Sequence, residues 1–519
     1  MEPNNGMQSF LFWVLEIFTA FIIFLFVTII IAIIITYIFD VTQQKTAIRR
    51  NYPVIGHFRY LFEHLGEFFR QYFFAMDREE LPFNRAQRSW VYRAGKNLAN
   101  TVAFGSTRDI RRPGSVLFVN FPFPTLGEDA VKPGAITIGK NCQHSYTTDS
   151  LFNISGMSYG AISKPAILAL SKGAKATGSW MNTGEGGLSP YHLEGGADIV
   201  FQIGTAKNGV RDLEGNLSDE KLREVASHDV VKMFEIKMSQ GAKPGKGGIL
   251  PGGKVTEEIA KIRGIHVGED AISPNRHTDI KCSADLLKMI HRVREVTGKP
   301  TGFKCVIGGP HWFDELFGEI NQMGIDYCPD FITLDGADGG TGAAPMALID
   351  AVGLSLRESL YMLVDKLNEY GLRDHVTVIA SGKLITPADI AWAMCVGADF
   401  VVSARGPMFS LGCIQALQCN KNTCPTGITT HDPELQKGLV PHVKAERVAS
   451  YIRNLEYEVG VIAHSCGVRS PRELLRRHAR IVSADGPSVP LDERWPPVPN
   501  PKRIQPDEKY GGIISEPKT

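Results

Sequence analysis

The strongest hydrophobic pattern in the chain is a continuous apolar run near its N-terminus. From Ile17 to Phe39, 23 residues carry no charge, and isoleucine and phenylalanine dominate. This length suffices for a helix that crosses a bilayer, although a buried core helix is the alternative. The chain starts with Glu2 rather than with basic residues, and no small-residue cleavage site follows the run. The pattern therefore favours an uncleaved membrane anchor over a secretory signal peptide.

Short apolar runs alternate with helix-like segments throughout the central region. This alternation predicts parallel β-strands joined by helices, as in α/β proteins. The eight predicted strands are Phe152–Ser155, Trp180–Asn182, Ile199–Ile203, Met233–Lys237, Gly302–Val306, Phe331–Leu334, Val376–Ala380 and Phe400–Ser403. The predicted helices between them include Lys164–Ala176, Asp219–Ala226, Ala284–Val296, Leu354–Tyr370 and Pro387–Val396. Eight strands fit a closed (β/α)8 TIM barrel, and a doubly wound open sheet is the competing fold.

Glycine-rich and polar motifs directly follow almost every predicted strand. Examples are Gly156–Gly160 after the first strand, Thr183–Gly187 after the second and Ser239–Lys243 after the fourth. In a closed barrel all such loops converge on one face, where active sites are built. An open sheet would gather them only at its switch point. The distribution of these motifs therefore favours the barrel.

The segments outside the barrel differ from it in composition. A basic and aromatic stretch between about Thr46 and Phe121 predicts an extra helical layer on the barrel, or alternatively a surface that rests on lipid headgroups. The proline-rich end from Pro487 predicts an extended strap or a disordered tail. We therefore expect four parts: an anchor (1–44), a helical and irregular linker region (45–148), the barrel domain (149–475) and the tail (476–519).

Charge and cysteine content exclude some functions and set the expected topology. Lysine and arginine together number 56 against 55 aspartates and glutamates, so no overall field favours nucleic acid as a partner. Nine cysteines in 519 residues are too few for a disulfide scaffold. Lys45, Arg49 and Arg50 follow the apolar run, and no basic residue precedes it. The positive-inside rule then predicts a single-pass membrane protein with its catalytic domain on the cytoplasmic side.

Two motifs carry cofactor chemistry. Ser381-Gly382-Lys383 and Arg405-Gly406 follow the seventh and eighth predicted strands, where barrels bind phosphates such as that of FMN, although plain turns would look the same. Cys413, Cys419 and Cys424 could ligate an iron–sulfur cluster. Zinc, with His431 or Cys466 as fourth ligand, and three inert buried cysteines are the alternatives. The chain has no complete Gly-x-Gly-x-x-Gly after a strand, so we expect no nicotinamide domain in it.

In combination, the motifs resemble the FMN-binding synthase domain of glutamate synthase. The resemblance is carried in order by Met157–Ser163, Asn182–Gly187, Glu235–Met238 with its continuation to Gly248, Gly339–Pro345 and the cysteine triplet, and it runs from about Asp149 to Leu475. It implies an oxidoreductase whose barrel holds FMN beside a 3Fe-4S cluster. It further implies that 2-iminoglutarate, formed from 2-oxoglutarate and ammonia, is reduced to L-glutamate with electrons from an external donor protein or reductase.

The resemblance also assigns expected roles to single residues. The residues expected around the flavin are Met157, Ser158, Tyr159, Lys304, Gly339, Gly340 and Thr341, with Ser381, Gly382, Lys383, Arg405 and Gly406 on its phosphate. Cys413, Cys419 and Cys424 match the cluster ligands. Glu185, Lys237 and Lys243 match the catalytic and substrate-facing polar groups, although buried structural salt bridges would explain these residues and Lys304 as well. His277 matches a family histidine, and a core histidine is an equal alternative.

One departure from the family pattern bears on the substrate. Ile249 stands where the large-subunit enzymes have a glutamine that contacts the substrate, although the shorter relatives also tend to carry an aliphatic residue there. No glutaminase-like region precedes the barrel, so ammonia would arrive free or from a glutaminase partner. The alternatives are a related flavin oxidoreductase that acts on another small acid or amine with membrane-linked electron exchange, and a non-catalytic flavin and iron–sulfur electron-transfer subunit.

Overall fold

The chain forms two compact units, and the boundary between them lies between Ala86 and Gln87. The computed structural model describes residues 5–69 and 73–499, so residues 500–519 of the predicted tail lie outside the described part. The boundary falls inside the predicted linker region 45–148. The part of that region after Ala86 therefore belongs to the barrel unit.

The N-terminal unit is helical, with helices Asn5–Thr42, Ala47–Asn51 and Gly56–Phe69. Within Ser9–Thr42 the most apolar 18-residue stretch has a mean hydropathy of 3.2, and none of it is buried. By length and composition this helix could cross a membrane. A signal sequence has the same properties, so the crossing stays a prediction.

The second unit is built on a closed barrel of eight parallel strands. The strands are Phe152–Ile154, Met181–Asn182, Ile199–Ile203, Val231–Lys237, Thr301–Cys305, Phe331–Asp335, Thr377–Ser381 and Phe400–Ser403. The eighth strand pairs with the first, with Val402 opposite Asn153. The predicted TIM barrel is therefore confirmed, and each predicted strand end lies within two residues of the observed one.

Helices follow the strands and surround the barrel. The helices of this unit are Lys164–Lys175, Pro190–Gly195, Asp219–Ala226, Glu257–Arg263, Ser283–Thr297, His311–Met323, Met346–Ala351, Leu356–Glu369, Pro387–Val396, Arg405–Leu411, Pro433–Gln436, Pro441–Ser465 and Leu491–Arg494, and Arg85–Gly95 spans the unit boundary. The local sequence determines where several of these helices begin. For example, Ser163 caps the first barrel helix by accepting a hydrogen bond from the Ala166 N–H.

Three short antiparallel sheets complete the unit. Val116–Phe118, Ala479–Val482 and Ser488–Pro490 form one sheet, Ile136–Ile138 pairs with Tyr146–Thr148, and Ile249–Leu250 pairs with Ala271–Ile272. The hairpin formed by Ile136–Ile138 and Tyr146–Thr148 closes the bottom of the barrel. Ile138 and Tyr146 pack there against Trp180, Phe331 and Phe400, which stand at the starts of strands. This apolar floor leaves the opposite, C-terminal end of the barrel for polar chemistry.

A buried carboxyl joins the long helix Pro441–Ser465 to the first strand. Glu456 accepts hydrogen bonds from the backbone N–H groups of Leu151 at 3.0 Å and Phe152 at 3.3 Å. Burial raises the pKa of Glu456 from 4.5 to about 7, even though both backbone donors act to lower it. The folded chain therefore binds a proton at Glu456 more tightly than the unfolded chain does.

We expect Glu456 to make the stability of the barrel depend on pH. Because its pKa is raised on folding, its contribution is fully present below about pH 4.5 and is lost as the pH rises through about 7. Replacement by glutamine should flatten the decline in unfolding midpoint across this window, measured on the detergent-solubilised chain. The same replacement at Glu446, an exposed residue of the same helix, should leave the decline in place. An unchanged decline in Glu456→Gln would contradict the assignment.

Candidate active site

A cavity opens at the C-terminal ends of the barrel strands. Its walls come from Gly156–Ser158 after the first strand, Gly184 and Glu185 after the second, and Gly340–Ala343 after the sixth. The long loop after the fourth strand and the start of the helix Arg405–Leu411 complete it. The convergence of loops expected from the sequence is thus present, and most of the predicted site residues lie in or beside one cavity.

Glu185 and Lys237 form a buried ion pair inside the cavity. The Lys237 Nζ lies 2.8 Å from the Glu185 Oε1. Burial by itself would raise the pKa of Glu185, but the ammonium groups of Lys237 and then Lys243 hold that pKa well below its usual value. Lys243 is itself buried, and burial, followed by repulsion from Lys237, lowers its pKa to about 8. The three predicted catalytic residues are therefore brought together as one charged cluster.

Two glycines leave the space in which the Glu185 side chain lies. A Cβ atom on Gly248 would stand 2.5 Å from the Glu185 Oε1, and one on Gly204 would stand 2.5 Å from the Glu185 Cβ. Real Cβ atoms essentially never approach other atoms this closely. The carboxylate can therefore reach Lys237 only because both positions lack a side chain.

A fourth charged residue in the cavity, Arg263, was not predicted from the sequence. It ends the helix Glu257–Arg263 and donates hydrogen bonds to the Ser158 Oγ at 3.2 Å and the Tyr159 carbonyl at 2.9 Å. Burial lowers its pKa to about 10, against the opposing effect of Glu185. Among the described residues its Nε is buried without a hydrogen-bond partner. The signal that could have pointed to Arg263 is its position four residues after Ile259, which places both side chains on the same face of the helix.

The predicted flavin residue Lys304 stands opposite Lys237 on the neighbouring barrel strand. It forms a buried ion pair with Asp335 at 3.1 Å, and Asp335 also accepts a hydrogen bond from the Gly241 N–H at 2.9 Å. Burial would lower the pKa of Lys304, but Asp335 and then Glu235 raise it. Lys304 is therefore a fixed positive charge in the floor of the site.

A second polar network in the floor also escaped sequence reasoning. Glu235 accepts hydrogen bonds from Asn182 at 2.8 Å, Gln202 at 2.6 Å and Thr333 at 2.6 Å. Each of these residues stands on a different barrel strand. The side chains meet only after the barrel closes, so no local pattern marks them as partners.

The predicted flavin loops border the cavity. Met157, Ser158 and Tyr159 are buried, and the Tyr159 hydroxyl donates to Glu258 at 2.6 Å. Gly339, Gly340 and Thr341 follow the sixth strand, and a Cβ on Gly340 would stand 3.0 Å from the Arg405 Nε. Both loops therefore bring their backbone to the wall of the cavity.

The predicted phosphate residues separate into two groups. Ser381, Gly382 and Lys383 form a tight turn in which Gly382 and Lys383 have φ values of +124° and +52°. Arg405 instead donates to the Thr341 carbonyl and lies with its Nη1 3.7 Å from the Cys419 Sγ. Its guanidinium is therefore engaged at the cysteines, while Gly406 packs against Tyr451, whose Oη would stand 2.2 Å from a Cβ added there.

The three predicted metal-ligating cysteines lie on the loop that follows the helix Arg405–Leu411. Cys419 lines the cavity, and Cys424 and Cys413 are within electrostatic reach of the same guanidinium, Arg405. Lys254, a buried residue that sequence reasoning missed, donates to the carbonyls of Ala161 at 2.6 Å and Cys419 at 3.3 Å. It ties the cysteine loop to the loop after the first strand.

The two candidate fourth ligands of the zinc alternative have other partners. In the described part of the chain no three Cys, His, Asp or Glu side chains are grouped to hold a metal ion, so the side-chain positions by themselves show neither zinc nor an iron–sulfur cluster. The His431 Nε2 is hydrogen-bonded to the Gly160 carbonyl at 2.8 Å, and the Cys466 Sγ donates to the His478 carbonyl at 3.8 Å. Both candidate fourth ligands are therefore engaged elsewhere.

His277 has a structural contact. It is fully buried, and its Nε2 is hydrogen-bonded to the Lys237 carbonyl at 3.1 Å. Burial lowers its pKa to about 4, so the ring is neutral. The contact positions the backbone of Lys237, which agrees with the interpretation of His277 as a core histidine.

Comparison with known proteins identifies the family. The family model described as "Conserved region in glutamate synthase" matches residues 125–469, which include the whole cavity. The chain belongs to the glutamate synthase family. The prediction of a glutamate synthase-like oxidoreductase is thereby confirmed at the level of enzyme class.

Individual relatives cover different shares of the chain. The chain is 40% identical over 495 residues to "Glutamate synthase large subunit-like protein YerD" of Bacillus subtilis. The matched region covers 88% of this chain and 94% of that protein. It is 37% identical over 328 residues to an archaeal-type glutamate synthase (NADPH) of Thermotoga, and it spans 61% of the length of that relative. Among solved structures, a chimera of (S)-mandelate dehydrogenase matches with a TM-score of 0.46 and 12% identity over 76% of this chain and 98% of that one.

The glycine contacts predict that one methyl group will disturb the ion pair. In Gly248→Ala the new Cβ would overlap the Glu185 carboxylate, so we expect the pair with Lys237 to open and turnover to fall at least about tenfold. The matched control is Gly253→Ala on the same loop, where a Cβ meets nothing within 4 Å. It should behave like the unchanged protein. Equal turnover of the two variants, with equal unfolding midpoints, would show that the glycine does not position Glu185.

Proposed function

We propose that the chain is an FMN- and iron–sulfur-dependent glutamate synthase that makes L-glutamate from 2-oxoglutarate and ammonia. Ammonia condenses with the 2-oxo group and releases water, which gives 2-iminoglutarate. Two electrons and two protons then convert the C=N bond to a C–N single bond with hydrogen on both atoms. The electrons come from an external donor protein or reductase, and the ammonia arrives free or from a glutaminase partner.

The charge of the cavity is the observation that supports a dicarboxylate substrate. Lys237, Lys243 and Arg263 supply three positive charges, and Glu185 supplies one negative charge, so the cluster has a net charge of about +2 near neutral pH. Glu185 already pairs with Lys237. Lys243 and Arg263 therefore provide two buried cations for the two carboxylates of 2-oxoglutarate, and such charge-assisted hydrogen bonds are strong.

The cavity fits FMN by its donors and by its backbone. Glycine-containing loops after the first, sixth and seventh strands let backbone approach a planar ring and its phosphate, with Met157–Tyr159, Gly339–Thr341 and Ser381–Lys383 as the holding segments. Gly406 lies in the first turn of the helix Arg405–Leu411. Lys304 would place a positive charge near the ring. When bound, FMN supplies a hydride equivalent for the imine carbon.

The cysteine loop fits a 3Fe-4S cluster by its donor set. Three thiols from one loop, Cys413, Cys419 and Cys424, match a cluster with three protein ligands. The nearby cations Arg405 and Lys254 would balance the negative charge of a thiolate-held cluster. Because Cys419 lines the same cavity as the flavin loops, these residues can hold the cluster beside FMN.

We further propose that the N-terminal helix anchors the enzyme to a membrane with the barrel on the cytoplasmic side. The uncharged length of the helix supports a crossing, and Lys45, Arg49 and Arg50 after it support this orientation. A reporter fused after Thr519 that proved to be external would contradict the orientation.

The cofactor proposal predicts the metal content of one variant. Purified without oxygen, the chain should hold about three irons, with acid-labile sulfide and FMN, as expected of a cluster with three thiolate ligands. Cys419→Ser should lose iron and sulfide but keep FMN, because none of the segments proposed to hold the flavin contains this cysteine. Cys282→Ser, at an exposed cysteine, is the matched control and should lose neither. Stoichiometric zinc without sulfide would refute the cluster.

The substrate proposal predicts opposite effects at two residues of one loop. Lys243→Ala should abolish 2-oxoglutarate-dependent reoxidation of the reduced flavin, because it removes a buried cation, whereas Lys246→Ala, outside the cavity, should not. Ile249 lines the cavity, and Ile249→Gln would place a hydrogen-bonding side chain there. This replacement should lower the KM for 2-oxoglutarate about two- to tenfold. The KM should rise as the pH passes about 8, where Lys243 loses its proton.

The Ile249 position also favours one second candidate. An aliphatic side chain in the cavity suits a related small acid or amine with fewer polar groups than 2-oxoglutarate. If the reduced enzyme is not reoxidised by millimolar 2-oxoglutarate and ammonia, and Ile249→Gln restores no reaction, glutamate synthesis is the wrong reaction. The second candidate then applies.

A further inference from the structure

The helix Gly56–Phe69, which we call the interfacial helix, has an apolar face that is left exposed by the residues that the structure describes. Phe58, Leu61, Phe62 and Phe69 recur at helical spacing, and their side chains are between 45% and 65% exposed. The apolar residues Phe73, Phe74 and Met76 that come after the helix are at least 68% exposed. Soluble surfaces rarely carry so many neighbouring exposed aromatic side chains without a partner.

The opposite face of the interfacial helix is polar. Arg59, Glu63 and His64 occupy it, and all three are exposed. A helix with one aromatic face, one charged face and little overall hydrophobicity is typical of a segment that lies in the plane of a lipid surface.

Hydrogen bonds hold the start of the interfacial helix to the end of the apolar helix Asn5–Thr42. Asp40, in the last turn of the apolar helix, is buried, and its carboxylate accepts from the Val54 N–H at 2.8 Å. The same carboxylate lies 2.9 Å from the His57 Nε2. Gln43 closes the intervening turn through its contacts with Thr46 at 2.8 Å and 2.9 Å. If the apolar helix crosses a membrane, the interfacial helix must begin at the level where it emerges.

The turn between the two helices carries the charge that a lipid headgroup layer attracts. Lys45, Arg49 and Arg50 lie between the helices, and the Arg49 guanidinium stacks 4.8 Å from the centroid of the Tyr60 ring. Basic residues next to a membrane span bind anionic headgroups, and aromatic residues concentrate at the same depth. Position, charge and the exposed aromatic face all point to the same occupant.

We propose that the interfacial helix lies in the headgroup layer of an anionic bilayer, with Phe58, Leu61 and Phe62 inserted between the lipids. The contact rests on the proposed membrane anchor and adds a second attachment to it. It makes the binding of this unit depend on lipid charge, which a single apolar helix does not do.

The test is lipid quenching of tryptophan fluorescence in the full-length chain. Phe62→Trp and the matched control Glu63→Trp are placed in nanodiscs that contain phosphatidylglycerol, with and without lipids brominated near the headgroup end of the chains. The native tryptophans are subtracted with the unchanged protein, and Trp13→Phe gives the signal of Trp13 in the apolar helix. We expect the tryptophan at 62 to lose emission to bromine and to emit at shorter wavelength than the one at 63. Replacing phosphatidylglycerol by phosphatidylcholine should reduce this difference.

Equal quenching at 62 and 63, while Trp13 is quenched, would overturn the proposal and leave the anchor standing. An unquenched Trp13 would instead refute the anchor. A blue shift at 62 that appears only when each disc holds two chains, without quenching by lipid, would identify a second copy of the chain as the occupant and would also overturn the proposal.

Discussion

The pairing of the eighth barrel strand with the first is the constraint on which the rest of the structure depends. Phe400–Ser403 and Phe152–Ile154 lie far apart in the chain, and their parallel register closes the sheet. Since every strand then runs in the same direction around a ring, the loops at the C-terminal ends meet at one rim. The loop after the first strand thereby reaches the cysteine loop after the last, where Lys254 joins the Ala161 and Cys419 carbonyls. An open sheet would leave these two loops at opposite edges.

Closure also forces charged side chains out of water, which is costly unless the charges are paired. The buried charged side chains are paired to different degrees. Lys304 has a full partner in Asp335, and Glu235 is surrounded by three neutral donors. Glu185 and Lys237 neutralise each other, so the positive charges of Lys243 and Arg263 remain in the cluster. An anionic ligand would relieve this imbalance, and the dicarboxylate that we propose as substrate is such a ligand.

The N-terminal unit is organised independently of this chemistry. The family model begins at residue 125, whereas the N-terminal unit ends at Ala86. Its internal order comes from its own contacts, above all those of Asp40 with Val54 and His57. The proposed lipid contact would make attachment a property of this unit alone.

The sequence by itself determined the features that neighbouring residues encode. The alternation of apolar and helical segments was enough to predict the barrel, and the long uncharged run was enough to predict the apolar helix. The resemblance of the motifs to glutamate synthase, rather than their spacing, named Glu185, Lys237 and Lys243. Hydrophobic period and turn residues are local properties, so a single chain displays them.

Only the tertiary structure decided which side chains face each other. Arg263 enters the site from the end of a helix and Lys254 from the loop before that helix, and both are distant in sequence from their partners. The packing of this helix and loop sets the direction of the two side chains. Arg405 was expected at a phosphate, yet its guanidinium contacts Cys419 and Thr341, because the closed barrel places both within its reach. Contacts of this kind depend on long-range closure and on the cost of burying charge, and neither is written in any local stretch of residues.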